Sequence, residues 1–159
     1  MTEDSPGIAE LHERIPFLLS QLGVLVADDF VARLQPFGVG PRTYAVLMAL
    51  HADDGQSQRQ LSSRLGIHRN VMVGVVDTLE REGLVTRKPH PRDRRAFAVT
   101  LTDKARDLLP ALDAQGRAQE NEIAATLTSA ERAEFLRLLQ RVSTGLALKP
   151  GVHPKLAES

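Results

Sequence analysis

The sequence predicts a mainly α-helical fold that carries one small two-stranded β-hairpin. Three observations lead there. Apolar residues recur at alternating spacings of three and four through most of the 159 residues, the period of a helix with one buried face. One stretch around Phe97 switches to a period of two, the pattern of a strand. Hydrophobic residues make up 42% of the chain but aromatic ones only 4%, so the core must be built of Leu, Val and Ala, which favours helices. The length suits one compact unit.

Leu11, Ile15, Leu18, Leu22 and Leu25 form one stripe of a long first helix, broadened by Val26, Phe30 and Leu34. Pro16 either starts the regular helix, where its missing N–H costs nothing, or kinks it after a first turn. The segment PFGVGP, 36–41, is a break, after which Pro41 suits the first position of a short helix bearing Tyr44, Val46, Leu47 and Leu50. Asp53, Asp54 and Gly55 make a turn. Ser57 and Gln60 match a capping box, in which each side chain satisfies a free backbone N–H of the other residue. Leu61 and Leu65 give that helix its buried side, and Gly66 closes it.

A helix over 69–82 places Val71, Met72, Val75 and Leu79 on its apolar face, with Asn70, Val73, Gly74, Asp77 and Arg81 opposite. Gly83 ends it. Two strands follow, 84–88 and 95–101, the second alternating Phe97, Val99 and Leu101 against Ala96, Ala98 and Thr100. The stiff basic tip PHPRDR lies between them. Thr102 caps a further helix through Leu108, Leu109, Leu112 and Ile123, bent at Pro110 and weakened at Gly116. Thr128 and Glu131 make a second capping box ahead of a stripe of Phe135, Leu138, Leu139, Val142 and Leu146. The closing LKPGVHPKLAES is expected to be mobile.

Several function classes drop out. With no cysteine, disulfides, thiolate ligands and thiol-based redox sensing are excluded. The five histidines, His12, His51, His68, His90 and His153, are never spaced i, i+4 on one helix, so no metal or cofactor is expected. Gly38 and Gly40 lack the third glycine and preceding strand of a dinucleotide site. No Ser-His-Asp, paired-carboxylate or HExxH pattern stands out, and the chain is not read as an enzyme. No unbroken apolar run approaches the roughly 18 residues of a spanning helix, the longest being 44–50. The opening MTEDSPG is acidic and has no apolar h-region. A cytoplasmic protein with no membrane partner is the expectation.

Formal net charge is zero, which taken alone argues against nucleic-acid binding. The average hides a division. Between Gln56 and Val99 stand nine basic residues against four acidic ones, a net +5 that leaves −5 for the rest. The order helix, Gly turn, helix, two strands with a basic tip is a winged helix-turn-helix, and the positive charge is concentrated on it. Such a helix enters the major groove, its partner crosses the phosphates, and the hairpin reaches a minor groove whose potential favours arginine.

The stretches LSSRLGIHRNVMVGVVDTLEREGLV and RKPHPRDRRAFAVTLTDKA resemble the paired DNA-binding helices and the wing of the MarR family of regulators. The wing is the more specific part, with Asp93, Arg95, Leu101 and Thr102 matching an Asp-x-Arg, strand, Leu-Thr pattern. The resemblance implies that His68, Arg69, Asn70, Val73 and Gly74 face the major groove. It implies that Asp93 orients Arg95 into the minor groove, with Arg92 and Arg94 beside it. It also implies that Ser57, Gln58 and Arg59 touch phosphates. The chain departs from the family at His68, where a small hydroxyl residue commonly caps, and at Val73 and Gly74, where polar or basic readers are usual.

The helices over 11–34, 102–123 and 128–146 are too long and apolar to be covered by a head of roughly 65 residues, so they are expected to pack on a second copy. Residues 1–36 and 102–148 then form a dimerisation region, 37–101 the winged helix-turn-helix and 149–159 a flexible tail. A two-fold dimer fits an approximately palindromic operator in double-stranded DNA. The resemblance further implies a repressor relieved by a small aromatic or phenolic ligand. His12, Phe17, Tyr44, Met48 and His51, on the two helices that would border the crevice, are the candidate pocket. The alternative is a winged-helix module that binds protein and not DNA.

Overall fold

The computed structural model of the chain describes residues 7–157. Its elements are α1 (Ala9–His12), α2 (Ile15–Leu34), α3 (Pro41–Ala52), β1 (Gln56–Ser57), α4 (Gln58–Leu65), α5 (Arg69–Arg81), β2 (Val85–His90), β3 (Asp93–Leu101), α6 (Asp103–Ile123) and α7 (Ser129–Gly145). The mainly helical class with a small wing is therefore what the sequence predicts. The sheet, however, has three strands and not two. β1 pairs antiparallel with β3, Gln56 opposite Val99 and Ser57 opposite Ala98, and the order is β1-β3-β2. A strand of two residues is too short to show a period of its own.

The helix starts follow the local chemistry. Ser57 Oγ accepts from the Gln60 N–H while Gln60 Oε1 accepts from the Ser57 N–H, and Thr128 and Glu131 repeat the arrangement on α7. Thr102 Oγ1 accepts from the Ala105 N–H at the head of α6, which runs unbroken past Pro110 and Gly116. The expected single first helix is divided. Pro16 stands in the first turn of α2, so Leu11 belongs to the separate turn α1.

The buried core lies in the central head. Leu47 and Leu50 of α3, Leu61 of α4, Met72, Val76 and Leu79 of α5, and Val85 and Val99 of the sheet are almost wholly covered. Leu34 from α2 and Leu109 and Leu112 from α6 close it from above. Beyond that the two long helices cross with polar ties. The buried Gln119 amide donates to Val26 O at 2.9 Å and to Asp29 Oδ2 at 2.8 Å, and Arg33 bridges Asp29 and Glu122. The Arg33 hydrogen bond, then that of Gln119, holds the Asp29 carboxyl below its usual range.

Three expectations need correction. Phe97 is 57% exposed, because the wing projects past the core and only Ala98, Val99 and Leu101 of β3 reach it. Ile15–Phe37 is, by length and composition, apolar enough to cross a bilayer, with mean hydropathy 1.6. The sequence count of unbroken apolar runs missed this because Asp28, Asp29 and Arg33 interrupt it. The closing segment, expected to be loose, carries a 3₁₀ turn at Pro154–Leu156 and buries Leu156 in the core. The acidic opening falls on residues 1–6, outside the described ones.

Candidate nucleic-acid interface

Two left-handed glycines shape the reading head. Gly66 (φ 67°) ends α4 and turns the chain into α5, and Gly83 (φ 72°) turns α5 into β2. His68 caps α5, its Nδ1 accepting from the Asn70 N–H at 3.3 Å, so the ring does the work a hydroxyl would do. Met72, Val75, Val76 and Leu79 pin one face of α5 to the core. His68, Arg69, Asn70, Val73 and Gly74 therefore come together on the open face at its start, with Val73 46% exposed. Nothing lies within 4 Å of where a Cβ on Gly74 would stand.

The far end of α5 is held just as firmly. Lys104 Nζ donates to Glu82 O and Thr102 Oγ1 to Gly83 O, both at 2.7 Å, satisfying carbonyls that the helix end leaves free. Arg87 of β2, only 19% exposed, bridges Asp77 and Glu80 of α5. This clamp fixes the angle between wing and reading helix. Asp54 is a second joint: its carboxylate accepts from the Leu101 N–H at 2.9 Å and from Arg106 at 2.7 Å, tying the turn after α3 to the wing base and α6.

The wing tip is a two-residue turn, with His90 opposite Asp93. His90 Nδ1 accepts from the Arg92 N–H at 3.3 Å and Asp93 Oδ1 from the Arg95 N–H at 3.0 Å. Asp93 thus holds Arg95 through its backbone N–H and not through an ion pair with its guanidinium. The acceptor at i reaches the N–H at i+2, a local turn in which the side chains of Arg94 and Arg95 both stay exposed. Arg92, Arg94 and Arg95 are exposed and, among the described residues, pair with no carboxylate.

At the start of α4 the expected phosphate contacts divide. Arg59 is exposed with no carboxylate partner among the described residues. Ser57 spends its hydroxyl in the capping box, and Gln58 is half-buried with its Nε2 covered and unpartnered. Of the nine central cations, Arg64 donates to Ala49 O, Arg81 donates to Thr78 Oγ1 and Arg87 is spent in its clamp. Arg59, Arg69, Lys88, Arg92, Arg94 and Arg95 are exposed, so the charge that the sequence places in the centre is carried on the surface of the helix-turn-helix and wing.

The expected pocket residues do not share one site. His12 and Phe17 line an apolar depression of about 520 Å³ with Leu11 and Gln21. Tyr44, Met48 and His51 are not among its walls. Tyr44 packs edge-on to Phe30 with ring centroids 5.0 Å apart, and burial, with Asp113 second, pushes its hydroxyl above the ordinary range. Met48 packs on the core and His51 is exposed. Sequence reasoning missed Arg87, Asp54 and Gln119, whose partners lie on other elements. Only the pairing of Asp77 with Glu80 on one helix face hinted at a cation between them.

The sequence model of the MarR family matches residues 37–96. A proposed transcriptional regulatory protein for the hcr operon of Thauera aromatica is 31% identical over 105 residues, 66% of this chain and 63% of the relative, so the chain spans under two thirds of that protein. The solved structure of the transcriptional repressor CouR bound to a 23-mer DNA duplex is similar with a TM-score of 0.75 at 29% identity, over 88% of this chain and 99% of CouR. CouR from Rhodococcus jostii RHA1 bound to p-coumaroyl-CoA gives a TM-score of 0.69 at 30% identity, over 84% and 94%.

Proposed function

This chain belongs to the MarR family of transcriptional regulators, and from that premise we propose that it is a homodimeric repressor that binds a palindromic operator in double-stranded DNA. The observation that carries the reading is a set of exposed cations with no carboxylate partner among the described residues: Arg59 and Arg69 at the helix-turn-helix, Arg92, Arg94 and Arg95 on the wing. A charge set with no internal partner, beside a reading helix of open face, fits phosphates and groove edges. α5 lies in the major groove, with Asn70 the hydrogen-bonding reader and Val73 placed for a thymine methyl. The wing enters the minor groove through Arg95. The protein works in the cytoplasm, where the DNA is, and without a membrane.

Relief by a small aromatic or phenolic ligand is the second half of the proposal. CouR bound to p-coumaroyl-CoA supports it. Of the residues expected to line its pocket, His12 and Phe17, which share one apolar depression, are the ones proposed to meet that ligand. A thermal-shift screen of small aromatic acids, followed by operator titration, tests this half. A compound that stabilises the protein but leaves operator affinity unchanged would overturn it.

The DNA half is tested by titrating the protein against the duplex upstream of its own gene at two salt concentrations. Affinity should fall with a slope of roughly 0.9 in log salt per phosphate neutralised, and Arg95→Ala should weaken it severalfold. Binding that is absent at low salt, or indifferent to salt, sinks the reading. Undiminished regulation by Arg95→Ala would favour a protein-binding module.

A further inference from the structure

The segment that follows α7 is tied to the reading head at four points. It leaves α7 through Ala147, whose φ of 55° is left-handed, with the Leu148 N–H bonded to Ser143 O at 3.1 Å. Lys149 Nζ then donates to Ser63 O, at the end of α4, at 2.7 Å. His153 Nδ1 accepts from the Lys155 N–H and starts the turn Pro154–Leu156. Leu156, 8% exposed, belongs to the same buried cluster as Leu61, Leu65 and Ile67, while its carbonyl accepts from Arg42 Nε at 3.3 Å at the start of α3. Ala157 shares a surface depression with Ser62, Gly66, His68 and Arg69.

Two of these ties lie beside the turn 66–68 between the two helices of the helix-turn-helix: Lys149 on Ser63, and Ala157 next to Gly66, Ile67 and His68. On its own side that turn is held by the buried Ile67 and by the His68 cap. We propose that residues 149–157 are a strap that positions the start of the reading helix, with Leu156 as its anchoring plug. The inference rests on the DNA-binding reading above. The strap's hold on the head is by packing of Leu156 and by two hydrogen bonds to or from backbone carbonyls, Lys149 to Ser63 O and Arg42 to Leu156 O. Base readout demands that side chains on α5 meet base edges within the reach of a hydrogen bond, whereas phosphate attraction tolerates a shifted helix. Loosening the turn should therefore cost specific binding and spare non-specific binding.

The full chain carrying Leu156→Ala is compared with wild type on two duplexes: one selected by the wild-type chain from a random pool, and a scrambled duplex of equal length. Every charge is kept, so the salt slope should not change. Specific affinity should fall roughly tenfold, non-specific affinity by less than about twofold, and amide exchange should quicken over 66–70 but not in α6. Leu156→Met, which keeps the volume, should restore all three. Should Leu156→Ala fail to fold, Lys149→Ala gives the same pattern to a smaller degree.

Unchanged specific affinity in both variants overturns the strap, as does an equal loss on both duplexes. A wild-type chain that binds neither duplex overturns the DNA reading itself. Unaltered exchange over 66–70 in a variant that folds overturns the strap without reference to DNA.

Discussion

At the scale of single residues, Gly74 is a helix interior residue with open space over its α-carbon. Gly74→Ala should stabilise the protein by about 1 kcal/mol, which for this length raises Tm by about 2–4 °C in a thermal melt. If operator affinity falls in the same variant, the backbone at residue 74 approaches the DNA closely and the glycine is kept for that. His68→Ala should act in the other direction, costing about 1 kcal/mol through loss of the cap. The place of Gly74 was legible in the sequence, because a position on a regular helix follows from counting at 100° per residue; the cap by His68 was not, since the family pattern puts a small hydroxyl there and a ring nitrogen takes its place. Nor was Asp54. Its carboxylate works on Leu101 and Arg106, some fifty residues away, and no spacing rule links such positions. Asp54→Ala should lower stability by about 1–2 kcal/mol, the cost of an unsatisfied, partly buried N–H, measured by denaturant titration.

At the scale of elements, caps and glycine turns were readable and cross-element ties were not. Ser57 with Gln60 and Thr128 with Glu131 declare helix starts because both partners lie within one turn. The pairing of β1 with β3 spans forty residues and leaves no local mark. The Thr128 box also makes a pH prediction. Hydrogen bonds from the Thr128 backbone, then its side chain, hold the Glu131 carboxyl below its usual range. A depressed carboxylate contributes stability above its unfolded value and loses it as pH falls through the folded one. The start of α7 should therefore fray below the ordinary glutamate range, seen as lost helicity by circular dichroism. Glu131→Gln should flatten that part of the curve. Arg87 gives a sharper test of element geometry, since it alone bridges α5 and β2 by ion pairs among the described residues. Arg87→Ala should leave non-specific binding near wild type and reduce operator affinity severalfold, because the wing and the reading helix would no longer keep a fixed angle.

At the scale of the whole molecule, the single chain leaves its two long outer helices unfinished. α7 buries none of its residues, and α2 buries only Leu34. Leu136 is 54% exposed, Leu146 69% and Leu25 65%, among many large apolar side chains that these helices leave open to water. Two environments could cover them, a second copy or a bilayer. The polar ties argue for the copy: Asp29, Arg33, Glu122 and Gln119 lock α2 against α6 through ion pairs and amide bonds that a hydrocarbon core would penalise. The protein should sediment as a dimer, and its Tm should rise with protein concentration. Leu139→Lys places a charge in the middle of the α7 stripe and should shift the population to monomer. Because one head carries only one reading helix, the monomer should then lose most operator affinity while each head stays folded. A wild-type chain that sediments as a monomer at all concentrations, or that floats with lipid vesicles, would refute the dimer.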